Sequence, residues 1–247
     1  MKFIAAMQPT FIPWIGYFAM LDAVDEFIFL DDVQFTKRSW QMRNFLKGSD
    51  GPVLLSLSVS GKPTRPLIKD TRLSEGGFEI KILRTIATLC KTAQFGDYAV
   101  DIVSEAFSTC EGSLSVLNCT IIKKISEVVG INTPIHLASK LPVEPGEKSM
   151  RLLNFGQYFA ADCYLSPVGS MNYLRDSNHF DVSKVLLRFF NYTHPSYPQG
   201  YGEFLSHMSA LDALAQVGPE RFLSLIRQGV NAPLTMQEVL ESAHEKL

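Results

Sequence analysis

One histidine and a pair of aspartates are the residues of this sequence best suited to proton transfer. His194 lies in "NYTHPSYPQG", a segment that two prolines make rigid because each proline fixes its own backbone φ angle. An imidazole titrates near neutral pH, so His194 could act as a general base that deprotonates an attacking amine. Asp31 and Asp32, near the end of the apolar run "EFIFLDDV", could orient the imidazole or bind hydroxyl groups of a ligand. The alternatives are a hydrogen-bonded structural histidine and a solvated strand end.

A cluster of cations follows the aspartates, whose adjacent carboxylates repel each other unless a cation or a hydroxyl-rich ligand compensates them. Lys37, Arg38 and Arg43 all lie within one short segment. Arginine suits a phosphate group because its planar guanidinium donates hydrogen bonds in pairs. The cluster therefore predicts an anion site, and a solvated group of ion pairs is the alternative. Neighbouring residues that we expect to bind the same substrate are Gln34, Trp40 and Asn44.

Three loops supply the remaining candidate binding residues. The segment "QPTFIPWIG" predicts a first βα loop that Pro9 and Pro13 make rigid, with Gly16 letting a helix start close to a ligand. The alternative is a tight connection packed by its own apolar side chains. Gly169 and Ser170 follow the apolar segment "CYL" and could offer backbone N–H groups to an anion. The substrate-binding residues predicted from the three loops are Gln8, Tyr17, Gly169, Ser170, Tyr197 and Gln199.

The elements around these residues alternate between strand and helix. The apolar run at 2–7 predicts a buried strand, the spacing at 17–24 predicts a helix, and the run at 26–33 predicts a second strand. Such a unit forms a right-handed crossover in a parallel sheet, and ligands of open α/β sheets bind beyond the carboxyl ends of the strands. We therefore predict one cleft at this edge, lined by Gln8, Tyr17, Asp32, Asn44, Ser170 and His194.

The same alternation returns later in the chain. A strand is predicted at 51–61, and a helical block at 78–130. A second series follows, with strands predicted within 134–141, 163–174 and 184–195 and a helix at 146–161. The pattern predicts a single α/β domain over 1–247, with an open, mostly parallel, Rossmann-like sheet flanked by helices and residues 78–130 as a helical elaboration.

Composition excludes several classes of protein. The formal net charge of -2 and the pI near 6.2 oppose nucleic-acid binding, which needs clustered Lys and Arg. The opening "MKFIAAM" is too short for a signal peptide, and no apolar run is long enough for a membrane span. The four cysteines form no C-x-x-C pair, and the five histidines lack metal-ligand spacing. We expect a cytoplasmic protein without a metal site, and the sequence leaves its cofactors unknown.

Several long segments together resemble the WbqC-like family. They are "MQPTFIPWIGYF", "FLDDVQFTKRSWQMRN", "YLSPVGSMNYL", "HPSYPQ" and "LSHMSALDALAQVG". Members are associated with gene clusters for O-antigen and other bacterial cell-surface polysaccharides, some of which carry acylated amino sugars. The resemblance thus implies acyl or aminoacyl transfer to the amino group of a nucleotide-linked amino sugar. It leaves open a homo-oligomer or an acyl-donor partner.

The opening of the chain also resembles, more weakly, the nucleotidyltransferase-like α/β folds. Their first loop carries an H-x-G-H motif that stabilises phosphates, and "WIGY" occupies the corresponding place here, with Trp14 and Tyr17 at the histidine positions. An adenylate-forming or nucleotidyltransferase-type enzyme is therefore the second hypothesis, and a non-catalytic binding or assembly protein of the same pathway is the third. Proximity of His194 to Asp31 and Asp32 discriminates these hypotheses, because a distant arrangement weakens the case for a catalytic base.

Overall fold

The computed structural model describes residues 1–61, 65–144, 146 and 148–244, with the side chains of 243 and 244 left out. The strands are β1 (Phe3–Met7), β2 (Glu26–Phe29), β3 (Arg43–Gly48), β4 (Gly51–Ser56), β5 (Ile135–Leu137), β6 (Cys163–Pro167) and β7 (Leu186–Phe190). The α-helices are α1 (Ile15–Asp22), α2 (Phe78–Leu89), α3 (Gly96–Thr109), α4 (Leu114–Val129), α5 (Lys148–Tyr158), α6 (Met171–Arg175), α7 (Ala210–Val217), α8 (Pro219–Gln228) and α9 (Met236–His244).

Five of the strands form one parallel sheet in the order β5-β2-β1-β6-β7. In this register Met7 of β1 lies opposite Phe29 of β2, and Ile4 lies opposite Tyr164 of β6. The chain adds β2 and β5 on one side of β1, and then returns to add β6 and β7 on the other side. Strand order therefore reverses between β1 and β6, where open α/β sheets bind ligands outside the carboxyl ends. The predicted open parallel α/β sheet is confirmed.

Helices cover both faces of the sheet. On one face α1 packs against α8, with the rings of Phe18 and Phe222 6.0 Å apart in an edge-to-face contact. On the other face α5 and α9 bury Phe155 and Val239. A strand buried on both faces has no need of polar residues at alternate positions, which explains the continuous apolar character of Phe3–Met7.

The strand predicted at 51–61 lies outside this sheet. Its first six residues form β4, which pairs antiparallel with β3. The three helical patterns predicted at 78–130 are present as α2, α3 and α4, and the helix predicted at 146–161 is present as α5, although its residue 147 lies outside the described residues. In the described part of the chain, no helix is long and apolar enough to cross a membrane. The division into a single domain with an elaboration stays a prediction.

Candidate functional site

An aromatic cleft of about 310 Å³ opens beside the carboxyl end of β1. Its walls come from the first βα loop, from the segment that precedes β3 and from the loop before α7. The lining is mostly apolar, and none of the described residues in it carries a carboxylate. The residues that line the aromatic cleft are Met7, Thr10, Pro13, Trp14, Tyr17, Trp40, Asn44 and His207. Tyr17, Trp40 and Asn44 are thus the predicted binding residues that the fold brings together here.

Gly16 shapes this cleft because the indole of Trp14 occupies the space above it. A Cβ atom on Gly16 would lie only 2.2 Å from Cη2 of Trp14, far inside van der Waals contact. The indole also stacks on the imidazole of His207, with 4.8 Å between ring centroids. The space expected for a ligand above Gly16 is therefore filled by the tryptophan of the chain itself, and the aromatic cleft lies beyond it.

Side-chain amides hold the first βα loop in addition to its prolines. Nδ2 of Asn44 donates to the Ile12 carbonyl at 2.8 Å. Nδ2 of Asn118, on α4, donates to the carbonyls of Pro9 at 3.1 Å and Gln41 at 2.8 Å. Ile12 has a φ of 39°, and such a conformation costs a β-branched residue on the order of 1–3 kcal/mol. Because the amides and the core maintain this conformation, the loop is a preformed wall of the cleft.

Gln8 and Tyr17 take part in a chain of hydrogen bonds within the protein. The Tyr17 hydroxyl donates to the Gln8 carbonyl at 3.1 Å, and burial raises the pKa of Tyr17 well above its usual value. Nε2 of Gln41 donates to Oε1 of Gln8 at 2.7 Å, while Oε1 of Gln41 accepts from the backbone N–H of Thr36 at 2.8 Å. These bonds join the first loop to the segment that carries Trp40.

His194 lies next to the aromatic cleft and has one unpaired ring nitrogen. Its Nδ1 is 2.8 Å from the Pro195 carbonyl, and because a carbonyl only accepts, Nδ1 carries the proton and Nε2 the lone pair. Nε2 is buried without a hydrogen-bond partner among the described residues. Burial lowers the pKa of His194, and His207 lowers it further, although the bond to Pro195 opposes the shift. The imidazole is therefore kept neutral with a free basic nitrogen, as a general base requires.

His207 connects His194 with the cleft. Its ring centroid is 5.1 Å from that of His194, and Trp14 stacks on both imidazoles. The side chain is exposed, with Nδ1 2.9 Å from Oγ of Ser206. The backbone of His207 has a φ of 62°, and left-handed conformations of non-glycine residues cluster at functional sites. His207 lies in the segment "LSHMSALDALAQVG", but the sequence analysis did not identify it as a site residue.

Acid is expected to destabilise the protein through His194. Because folding lowers the pKa of His194, the unfolded chain takes up the proton first, and stability falls as the pH drops below about 6.5, the ordinary value. We expect His194→Gln to lose this part of the pH dependence of Tm, measured between about pH 7 and pH 5. His179→Gln, which removes an imidazole bonded to Ser149 at 2.9 Å, should retain it. Equal slopes in both variants would contradict a buried, neutral His194.

Tyr197 and Gln199 both bind Asp212 at the start of α7. The Tyr197 hydroxyl donates to Oδ2 of Asp212 at 2.7 Å, and Nε2 of Gln199 donates to the same oxygen at 2.8 Å. Burial raises the pKa of Asp212, while these two bonds oppose the rise. Oε1 of Gln199 also accepts from the backbone N–H of Leu205 at 2.8 Å. In this structure the two predicted binding residues position the loop that carries His207.

Asp31 and Asp32 find their partners within the protein at the carboxyl end of β2. Asp31 accepts from the backbone N–H of Ser139 at 2.9 Å and from its hydroxyl, and Asp32 pairs with Arg151 of α5 at 2.6 Å. Residues of the protein itself thus engage both carboxylates, a neutral serine at Asp31 and a cation at Asp32. Within the described residues neither aspartate contacts His194 through a hydrogen bond or ion pair, and β2 and β7 lie three strand positions, about 14 Å, apart. The Pro195 carbonyl orients the imidazole instead.

Of the three predicted cations, Lys37 lines a second cleft, and Arg38 and Arg43 are not part of its lining. This cleft of about 460 Å³, which we call the cationic cleft, is also lined by Gln34 and by Arg65 from a later loop. Arg38 is exposed with a φ of 60° and is not part of this lining. Arg43 lies in β3, also outside the lining. A common anion site for all three cations stays a prediction, and the grouping of Lys37 with Arg65 was not predicted.

Gly169 and Ser170 lie at the carboxyl end of β6, apart from the lining of the aromatic cleft. Gly169 is exposed, with open space around the position of a Cβ atom. Ser170 is buried, and its hydroxyl donates to the Pro167 carbonyl at 2.6 Å and lies 2.5 Å from Oγ of Ser166. An anion-binding role for this turn stays a prediction.

The cysteines are core residues. All four are free and buried, and burial raises the pKa values of Cys90 and Cys119 to about 12. The thiolate is the reactive form, so thiols with these pKa values are poor nucleophiles. Among the described residues, no group of three or more His, Cys, Asp or Glu side chains has an arrangement that could hold a metal ion.

Two more residues that position the site were missed from the sequence. Asn118 is fully buried on α4, in the apolar stretch "LSVLNCTII". A single asparagine on the apolar face of a predicted helix was the signal that could have identified it, because a buried amide needs partners. The sequence contains no comparable signal for Arg151, because an arginine in an amphipathic helix usually lies on the solvated face and needs no partner within the protein.

Comparisons with known proteins place these residues within one family match. A model of the WbqC-like protein family matches residues 8–223, which include Trp14, His194 and His207. A protein of Mycobacterium tuberculosis (strain ATCC 25618 / H37Rv), named "Uncharacterized protein Rv1507c", is 33% identical over 227 residues. That alignment covers 89% of this chain and 96% of the mycobacterial protein. No solved structure matches the chain significantly.

Proposed function

The chain belongs to the WbqC-like protein family, and from this premise we propose that it transfers an acyl or aminoacyl group to the amino group of a nucleotide-linked amino sugar. The reaction serves the synthesis of O-antigen or another bacterial cell-surface polysaccharide, the setting with which the family is associated. One observation carries the proposal. It is the neutral imidazole of His194, which stacks on Trp14 and lies against His207 beside the aromatic cleft, and whose Nε2 has no partner among the described residues.

The aromatic cleft suits the sugar ring of the acceptor. The C–H groups of a sugar pack against aromatic faces such as those of Trp14 and Trp40, as other apolar groups do. At about 310 Å³ the cleft lies near the lower end of the range for small-molecule pockets. It therefore accommodates the sugar and leaves the nucleotide outside.

The proposed chemistry is a nucleophilic acyl substitution. The amine of the sugar attacks the carbonyl carbon of an activated acyl donor, a C–N bond forms, and the leaving group departs with the electron pair of its bond to that carbon. The surplus proton on the nitrogen passes to Nε2 of His194. The hydrogen bond from Nδ1 to the Pro195 carbonyl holds the ring and stabilises the imidazolium that results.

The amine reaches Nε2 only after a neighbouring side chain moves, because Nε2 is covered in this structure. His207 is suited to this movement. It is exposed, and exposed side chains change rotamer within picoseconds to nanoseconds. Rotation of His207 away from Trp14 would open a route from the aromatic cleft to His194.

A second candidate function is a non-catalytic binding or assembly protein of the same pathway. The observation that favours it is the engagement of Asp31 and Asp32 by other residues, which leaves His194 without a carboxylate partner among the described residues. The adenylate-forming hypothesis receives less support from the first loop. Tyr17 already donates its hydroxyl proton within the protein, and Trp14 covers the glycine of "WIGY".

A mass-spectrometric screen distinguishes the two candidates. Purified protein is incubated with nucleotide-linked amino sugars and candidate donors, including ATP plus glycine. A sugar product heavier by the acyl group, formed by the wild type and far more slowly by His194→Gln, supports the transferase. Sugar binding without a mass change for any donor supports the binding protein.

Trp40→Ala is expected to weaken sugar binding about fivefold while the protein stays folded. Trp40 is 56% exposed, so little core packing is lost, whereas an aromatic contact with the ligand contributes on the order of 1 kcal/mol. Titration calorimetry measures the affinity. Tyr158→Ala on α5 is the control, because Tyr158 is similarly exposed, at 49%, and lies away from the cleft lining. Equal affinities of the two variants would exclude the aromatic cleft as the sugar site.

A further inference from the structure

Among the described residues, the cationic cleft combines two cationic side chains with several neutral hydrogen-bonding groups. In the described part of the chain, the charged residues of its lining are Lys37 and Arg65, and no carboxylate is among the lining residues. Among the described residues neither side chain forms an ion pair with the protein. The residues that line the cationic cleft are Gln34, Phe35, Thr36, Lys37, Ser60, Gly61, Arg65, Pro66 and Thr71.

Backbone hydrogen bonds hold the walls of the cationic cleft together. The N–H of Phe35 donates to the Pro66 carbonyl at 2.8 Å, which ties the segment of Lys37 to the loop of Arg65. The N–H of Ser60 donates to the Arg72 carbonyl at 2.9 Å. The two cations therefore lie on segments that are bonded to each other. Ordering them on ligand binding costs less conformational entropy than it would if they lay on independent loops.

The backbone of Arg65 adds a second observation. Its φ is 56°, a left-handed conformation that is uncommon for arginine and that clusters at ligand-binding positions. Nearby Arg38 has a similar φ of 60° yet does not line the cleft. Arg38 therefore matches Arg65 in charge, exposure and backbone conformation, and it separates two hypotheses: the predicted common site of Lys37, Arg38 and Arg43 requires Arg38, whereas a site of Lys37 and Arg65 does not.

The cationic cleft lies within reach of a ligand in the aromatic cleft. Lys37 lines the cationic cleft and Trp40 lines the aromatic cleft. The two residues are three positions apart in the chain, so their α-carbons are at most about 11 Å apart. A nucleotide-linked sugar joins a neutral ring directly to a diphosphate. One such ligand can thus present its ring to the aromatic surface and its anionic group to the cations.

We infer that the cationic cleft binds the diphosphate group of the substrate, through Lys37 and Arg65. The guanidinium donates paired hydrogen bonds to phosphate oxygens, and the ammonium contributes a mobile point charge. The identification of this diphosphate as part of a nucleotide-linked sugar rests on the proposed function. The inference that the cleft binds a diphosphate group does not depend on the proposed function.

Titration calorimetry with inorganic pyrophosphate and with uridine diphosphate tests the site without any acyl donor. Lys37→Met and Arg65→Gln should each weaken binding of both probes about tenfold or more, because each removes a charge-assisted contact. Arg65→Lys should retain more affinity than Arg65→Gln, and Arg38→Gln should bind like the wild type. Added salt should weaken wild-type binding, since these cations are exposed.

The possible results separate this inference from the proposed function. The inference is overturned if neither probe binds, or if Arg38→Gln loses as much affinity as Arg65→Gln. If pyrophosphate binds as expected but no donor yields an acylated sugar, the diphosphate site stands and the transferase proposal alone fails. If the wild type acylates a sugar and Arg65→Gln binds both probes normally, the transferase stands and the site is wrong.

Discussion

Replacement of His194 by glutamine is expected to lower turnover about a hundredfold or more, the usual contribution of a positioned proton transfer. Glutamine is close to imidazole in length and keeps a polar side chain at this position, but it has no titratable nitrogen. The loss should therefore appear in kcat, measured by product mass over time. Sugar affinity, measured by calorimetry, should change little.

Two comparisons make this result specific. His179→Gln removes another half-buried imidazole, one that contacts a serine hydroxyl, and should leave kcat unchanged. In the wild type, kcat/KM should fall only below about pH 6.5, because burial lowers the pKa of His194. Full turnover by a folded His194→Gln variant would remove the base from the mechanism and favour the binding protein.

Asn118→Ala is expected to reduce the free energy of unfolding by about 3 kcal/mol. The substitution leaves the carbonyls of Pro9 and Gln41 without their donor, and each unsatisfied buried group costs about 1–3 kcal/mol. For a chain of this size the loss corresponds to a fall in Tm of roughly 6–12 °C. Differential scanning calorimetry measures it.

The same substitution should also loosen the aromatic cleft, because Asn118 ties its first two walls to α4. Sugar affinity should fall although Asn118 lies outside the cleft lining. Asn132→Ala is the matched control, since Nδ2 of the exposed Asn132 donates to the Gly130 carbonyl at 3.2 Å. Similar Tm values for the two variants would show that α4 does not hold the loop through this amide.

The fold could be predicted from local patterns. The apolar runs that became β1 and β2 and the helical spacing that became α4 depend on neighbours a few residues away, and the handedness of a strand, helix, strand unit is general. Ligands of open α/β sheets bind beyond the carboxyl ends of the strands, and this rule identified the edge of the sheet where Tyr17 and Asn44 line a cleft. The separate β3 and β4 hairpin was not predicted, because a strand pattern alone does not specify its partner.

The candidate site was predicted less completely because side-chain partners are set by packing. Both aspartates were identified from "LDD", but Ser139 and Arg151 come from elements more than a hundred residues later, and they engage carboxylates that sequence reasoning assigned to a ligand or to His194. Arg65 likewise joins Lys37 only because two distant loops are bonded to each other.

The sequence by itself determined most elements of the parallel sheet and of the helical block at 78–130, the edge of the sheet where their loops meet, and the family to which the chain belongs, because periodicity, turn residues and long motifs are local properties. Tertiary structure alone decided that Trp14 stacks on two imidazoles, that Nε2 of His194 has no partner among the described residues, and that His207 faces the cleft. These outcomes depend on where side chains from remote segments find space and hydrogen-bond partners. Local sequence patterns do not specify such contacts.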